Sequence, residues 1–216
     1  MLLVCFAVKE EARPFQKACA GRGEVSVLVT GMGRANAENA IRRALQSEKP
    51  KLVLTCGFAG GLRPGLETGA VLYEADANRE LEQPLETAGA RKARFTSSER
   101  IATTAAEKRA LWQQTNADAV EMESRTICAV CRENRIPSAT VRVVLDTAEK
   151  DLPLDFNELM TTAHKMSYAK LAASLLKSPG KVAGLLQLQK QSGLAAEKLA
   201  VVLTRFIELS RSGLRS

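Results

Sequence analysis

Residues 140–146 read TVRVVLD. The run is almost continuously apolar and β-branched, as expected of a strand buried on both faces, and such strands belong to sheets sandwiched between helices. Two residues break the pattern. Arg142 puts a guanidinium into the run, and Asp146 ends it with a carboxylate. Ligands of open α/β sheets sit just outside the carboxyl ends of strands. Asp146 is therefore the first candidate for chemistry.

Working outward, short apolar runs alternate with helical patterns. LLVCFAV (2–8) precedes EEARPFQKACA (10–20), and VSVLVTG (25–31) precedes RANAENAIRRALQS (34–47). KLVLTCG (51–57) leads through a glycine-rich loop to GAVLYEA (69–75). Strand and helix taking turns predicts an α/β fold, a sheet with helices on both faces. Glu10 and Glu11, the Gly31–Gly33 turn and the Gly57–Gly61 loop then join Asp146 at strand ends. Residues 76–98 are polar and weakly periodic, which predicts a surface excursion. Beyond about residue 156 the pattern is helical, with a break at Ser178-Pro179-Gly180, so a domain over 1–177 and a helical extension over 178–216 are expected.

The chain has 216 residues, 45% of them hydrophobic, enough for one domain with a sizeable core. Five cysteines, an odd number in mostly apolar runs, and an opening MLLVCFAV without a basic leader point to a reducing cytoplasm. The net charge is +7, and nine Lys/Arg against two Glu from residue 165 onward account for all of it. The rest is near neutral, which argues against nucleic-acid binding.

GMGRAN (31–36) sits between strand and helix, but Asn36 occupies the third glycine position of a dinucleotide fingerprint, so a tight turn suffices to explain it. Three glycines in five residues of CGFAGG (56–61) suggest a backbone passing close to a ligand or another segment. Cys128 and Cys131 are spaced C-x-x-C within a helical pattern, with no second pair and one distant histidine, His164, so buried thiols are expected and no metal. Trp112 reads as packing. Glu11, Glu123 and Asp146 remain, three carboxylates expected on one rim.

Taken together, AVKEE (7–11), TGMG (30–33), CGFAGGLRPGLETGAVL (56–72), AVEMES (119–124) and VRVVLD (141–146) resemble the purine nucleoside phosphorylase and nucleosidase superfamily. Within it they are most similar to the methylthioadenosine/S-adenosylhomocysteine nucleosidases. The resemblance covers residues 1–177 and implies a three-layer fold with a mixed, twisted sheet, a homodimer or larger assembly, no cofactor, and cleavage of an N-glycosidic bond of a 5′-modified, adenosine-type nucleoside. It implies that Asp146 protonates the purine at N7, that an ionised Glu11 activates water, and that Glu123 holds the ribose hydroxyls with Met122 beside the sugar. Gly33, Phe58, Ala59, Gly60, Arg100, Ile101 and Arg142 complete the implied substrate-binding set, with Glu121 in a structural part.

That chemistry calls for carboxylates. The purine leaves poorly as an anion and wants a proton, while the sugar develops oxocarbenium character that a negative charge favours. Thr55 and Phe58 stand where the phosphorylases place phosphate ligands, favouring water as acceptor, although Arg13, Arg34 and Arg63 keep phosphorolysis open. Arg100 stands where the nucleosidases stack an aromatic on the base, and the Ile101 backbone is left to pair with it. The tail, TSSERIATTAAEK (96–108) and Phe58 are similar to the hopanoid-associated nucleosidase/phosphorylase branch, which implies an adenosyl lipid substrate. A basic, amphipathic tail also suits contact with an anionic membrane surface. A non-catalytic nucleoside-binding protein is the alternative from another class.

Overall fold

The computed structural model describes residues 1–75, 79–159, 161 and 180–213. Its strands are β1 (Leu2–Phe6), β2 (Val25–Val29), β3 (Leu52–Gly61), β4 (Val71–Glu74), β5 (Arg91–Lys92), β6 (Phe95–Ser97), β7 (Ala119–Glu121) and β8 (Ser138–Asp146). The helices are α1 (Lys9–Ala18), α2 (Arg34–Ser47), α3 (Glu82–Ala88), α4 (Ala105–Thr115), α5 (Ser124–Glu133), the single turn α6 (Phe156–Leu159) and the long α7 (Lys181–Gly213).

One mixed sheet runs in the order β2-β1-β3-β8-β4-β5. The pairs from β2 to β8 are parallel, and β4 is antiparallel to β8. The long β3 also pairs, through Gly60 and Gly61, with β7, which in turn pairs with β6. As the apolar run predicts, β8 is central, and Ala139 to Val144 are all buried.

Alternation along the strands sorts side chains into two layers. Leu3, Cys5 and Val53 face Ile41 of α2 and Ile127, Val130 and Cys131 of α5. Val4, Phe6, Leu54, Val141 and Val143 face Phe15 of α1, Leu85 of α3 and Leu199, Leu203 and Phe206 of α7. Each fully buried Leu or Phe contributes about 1.5–3 kcal/mol. The second half of α7 is thus part of the main core. The boundary expected at 177/178, and His164 with it, lie outside the described residues.

The surface excursion expected over 76–98 needs correction. From residue 79 the segment holds a 3₁₀ turn, α3, β5 and β6, with Leu85 and Ala88 fully buried. Two apolar residues in a short polar helix give little periodicity, and α3 is held by packing against α7, which tertiary contact alone decides.

Candidate active site

The carboxyl ends of β1, β3, β7 and β8 converge on a cavity of about 250 Å³. Every residue assigned to the site from the sequence lines it except Gly33. Gly33 lies behind the wall, where its N–H donates to Glu123 Oε1 at 2.8 Å. The remaining lining is largely apolar and includes Val8, Met32, Leu145, Leu152, Phe156 and Leu188, the last brought in by α7.

Glu11 sits on the first turn of α1 and is 5% exposed. Its Oε2 accepts from the N–H groups of Ala7 and Val8, satisfying donors that a helix start leaves open, and its Oε1 accepts from Phe58 N at 2.8 Å. Burial pushes its pKa up to about 7, against the opposing pull of Arg142 and of those N–H groups. Burial thus opposes the ionised base expected from the sequence, while Arg142 and the N–H groups favour it. Gly57 makes the approach possible. It adopts φ +145°, and a Cβ there would lie 2.7 Å from both Glu11 Oε1 and Arg142 Nη1.

Arg142 is buried, and its charge is matched by carboxylates at the end of β7 and the start of α5. Nη2 donates to Glu121 Oε2 at 2.9 Å, to Glu123 Oε2 at 3.4 Å and to Ser124 Oγ at 2.9 Å. Glu121 also accepts from Ser97 Oγ and from the N–H groups of Glu123 and Ser124. Both of its oxygens are committed to the protein, the arrangement of a scaffold. Burial alone would raise its pKa, but Arg142, Ser97 and the two N–H groups outweigh that and hold it below the usual range. For Glu123 burial prevails over Arg142 and Gly33, and the pKa is raised.

Asp146 closes the opposite wall. Burial raises its pKa, opposed by the ammonium of Lys108, which forms an ion pair with Oδ2. Lys108 went unassigned in the sequence. It shares the helical face of Leu111, Trp112 and Thr115 at i+3, i+4 and i+7, and a lysine on such a stripe was the available signal.

Two further placements bear on the substrate. The Ile101 N–H donates to Asn157 Oδ1, and its carbonyl accepts from Asn157 Nδ2, both at 2.9 Å. The backbone edge expected to pair with a base is thus engaged by a side-chain amide of α6. None of Arg13, Arg34 and Arg63 lines the cavity, and Arg63 is paired with Asp118. Among the described residues no group of three or more His, Cys, Asp or Glu side chains is placed to hold a metal ion.

If Glu11 is the base, the rate should climb between pH 6 and pH 8 along an ascending limb centred near 7. The stability of the protein moves the other way. A carboxyl whose folded pKa lies above its unfolded value adds stability that is complete below about pH 4.5 and lost as pH rises through 7. Glu11→Gln should therefore lose the ascending limb yet melt above the parent at pH 8. A Glu11→Gln profile with the limb intact would remove Glu11 from the mechanism.

The comparisons with known proteins agree with this geometry. The model of the phosphorylase superfamily matches residues 6–88 and 70–177. A 5′-methylthioadenosine/S-adenosylhomocysteine nucleosidase of Glaesserella parasuis is 25% identical over 186 residues, 70% of this chain and 80% of that protein. Among solved structures, futalosine hydrolase of Helicobacter pylori superposes with a TM-score of 0.71 at 14% identity, covering 96% of this chain and 97% of that one. The methylthioadenosine/S-adenosylhomocysteine nucleosidase of Neisseria meningitidis, in complex with methylthio-immucillin-A, gives 0.70 at 16% identity, covering 96% and 98%. With four-fifths of its length matched by the family model, and with the site on the strand ends that the model spans, the chain belongs to the phosphorylase superfamily.

Proposed function

We propose that the protein is a nucleosidase that hydrolyses the N-glycosidic bond of a 5′-modified, adenosine-type nucleoside to free base and sugar. The observation that carries this is the grouping of Glu11, Glu123 and Asp146 on one otherwise largely apolar cavity. Asp146 gives its proton to N7 as the C1′–N9 bond breaks and the bonding pair leaves with the base. Water adds to C1′ and passes a proton to Glu11, while the Glu123 carboxylate accepts from the sugar hydroxyls and its charge favours the cation forming beside it. Solvent then returns a proton to Asp146 and takes one from Glu11. For a purine to use the Ile101 backbone, the amide of Asn157 must move aside.

Water is favoured over phosphate by the charges present. Among the described residues four carboxyl groups line the cavity, the buried Arg142 is committed to two of them, and Arg100 is the other lining cation. With Arg142 held by Glu121 and Glu123, Arg100 is the described lining cation left to hold a phosphate dianion, and the adjacent carboxylates would oppose it. Following base release from 5′-methylthioadenosine, adenosylhomocysteine and adenosine decides the matter. Equal rates with and without phosphate support hydrolysis, and release that needs phosphate refutes it.

Two partner assignments accompany this function. The resemblance implies a homodimer or larger assembly, which sedimentation would read as at least twice the mass of one chain. A membrane surface is supported by α7, whose Val182, Leu186, Leu194 and Val201 are exposed among Lys190, Lys198 and Arg205. No helix among the described residues is long and apolar enough to cross a membrane. Binding to anionic vesicles should be seen at low salt and vanish above about 0.5 M salt. Equal binding after Leu186 and Leu194 are changed to Ser and Lys190 and Lys198 to Gln would exclude this surface.

A further inference from the structure

Lys108 has no solvent exposure, although lysine is rarely buried without partners. It is held on α4, whose start is fixed by a reciprocal cap between Thr104 and Glu107. From there Nζ reaches, among the described residues, three oxygens and no donor: Thr147 O at 2.9 Å, Lys150 O at 2.7 Å and Asp146 Oδ2. An ammonium has three N–H donors, so each oxygen can take one. Two of the three acceptors are main-chain carbonyls of the loop that follows β8. They keep the ammonium in place whatever the charge on Asp146.

Asp146 Oδ2 is buried and meets no other donor among the described residues. Yet the side chain keeps 15% exposure and lines the cavity. That exposure belongs to the rest of the side chain, which leaves Oδ1 as the oxygen available to a ligand.

We propose that Lys108 is a positioning residue for the general acid. Its ammonium, locked by the carbonyls of Thr147 and Lys150, pins Oδ2 of Asp146, turns Oδ1 toward the leaving base, and stands ready for the carboxylate left when the proton departs. The proposal rests on the nucleosidase function and names how its acid is set. When the O–H bond of Asp146 breaks and N7–H forms, the new negative charge appears beside a cation that needs no rearrangement, the condition under which electrostatic stabilisation is most effective. The cation also keeps a desolvated carboxyl from becoming too weak an acid to donate near neutral pH. Other charged groups around this carboxyl are Glu149, close enough to feel the Lys108 charge, and, across the cavity, Glu11, Glu121, Glu123, Arg142 and Arg100. Of these and Lys108, it is the Lys108 ammonium that is ion-paired with Asp146.

The test is a direct titration of the acid. With 13Cγ-labelled aspartate in the full-length protein, the Asp146 signal is the one missing from Asp146→Asn. Lys108→Met should raise its midpoint by about one unit or more, and Lys108→Arg should leave it within about half a unit. In the nucleosidase assay the descending limb of the pH profile should move up with it, and kcat should fall at least tenfold while KM changes little. An unchanged midpoint in Lys108→Met overturns the proposal, as does a kcat loss without movement of the limb. If Lys108→Met does not fold, Lys108→Gln takes its place. The parent protein supplies a further reading in the 15Nζ signal of Lys108, which should shift through the Asp146 midpoint. A 15Nζ signal indifferent to that midpoint counts against the proposal even if no neutral variant folds. Failure of the nucleosidase assignment looks different, because no nucleoside is then cleaved while the titration still depends on Lys108.

Discussion

Asp146→Asn is expected to lower kcat by about 10²–10⁴-fold, with nucleoside binding held within a few-fold. The amide keeps the shape of the carboxyl but has no acidic proton to give to N7. The other half of the catalytic arrangement, the Glu11 carboxylate and its water, is untouched, so ground-state binding should survive. Single-turnover kinetics with equilibrium binding of a substrate would separate the two effects. A parallel loss of binding and turnover would assign Asp146 to recognition, and undiminished turnover would remove it from the chemistry. Lys108 would be left with two carbonyl partners and no counter-charge, so some loss of stability should accompany the variant.

Arg142→Met should be the most damaging substitution for stability. It removes a buried cation hydrogen-bonded to Glu121, Glu123 and Ser124 and leaves two carboxylates, each about 5% exposed, without their counter-charge. Breaking such a group typically costs about 3–5 kcal/mol, a fall of roughly 10 °C in melting temperature for a chain of this size. The pH dependence identifies the cause. Glu121 has a depressed pKa in the folded protein, so its contribution is present above the unfolded value and lost as pH falls through the folded one. The gap between variant and parent should therefore be widest above about pH 5 and narrow toward pH 3. Calorimetry across that range would measure it, and a constant gap, or none, would show that the charges are not what Arg142 supplies.

The legible parts of the fold were those where a strand was long and buried on both faces. TVRVVLD, KLVLTCG and LLVCFAV each carry enough apolar residues to signal β8, β3 and β1 without help, and β8 stops at Asp146 as read. The segment from residue 79 to 97 was not legible, because β5 and β6 span two and three residues and α3 offers two fully buried side chains. Elements that short are made by what they dock against. The site divides in the same way. The carboxylates at strand ends could be found because strand ends are where ligands sit. The stripe on α4 signals a buried lysine at Lys108 but not its role, since its partners lie 38 to 42 residues away in the chain and only the closed fold brings them to one ammonium. The amide of Asn157 on the Ile101 backbone is a contact of the same kind, across 56 residues. The pKa of Glu11 near 7 is likewise a property of burial, and no residue in AVKEE announces it.

The step on which everything else depends is attack by water at the anomeric carbon. Brief incubation of the protein with 5′-methylthioadenosine in 18O-enriched, phosphate-free water, followed by mass spectrometry of the sugar against the same sugar exchanged in that water without protein, observes it. One 18O in the released sugar, with free adenine in equal amount, is the expected result. An intact nucleoside after prolonged incubation, or a sugar released only as its 1-phosphate once phosphate is added, would contradict hydrolysis by these three carboxylates.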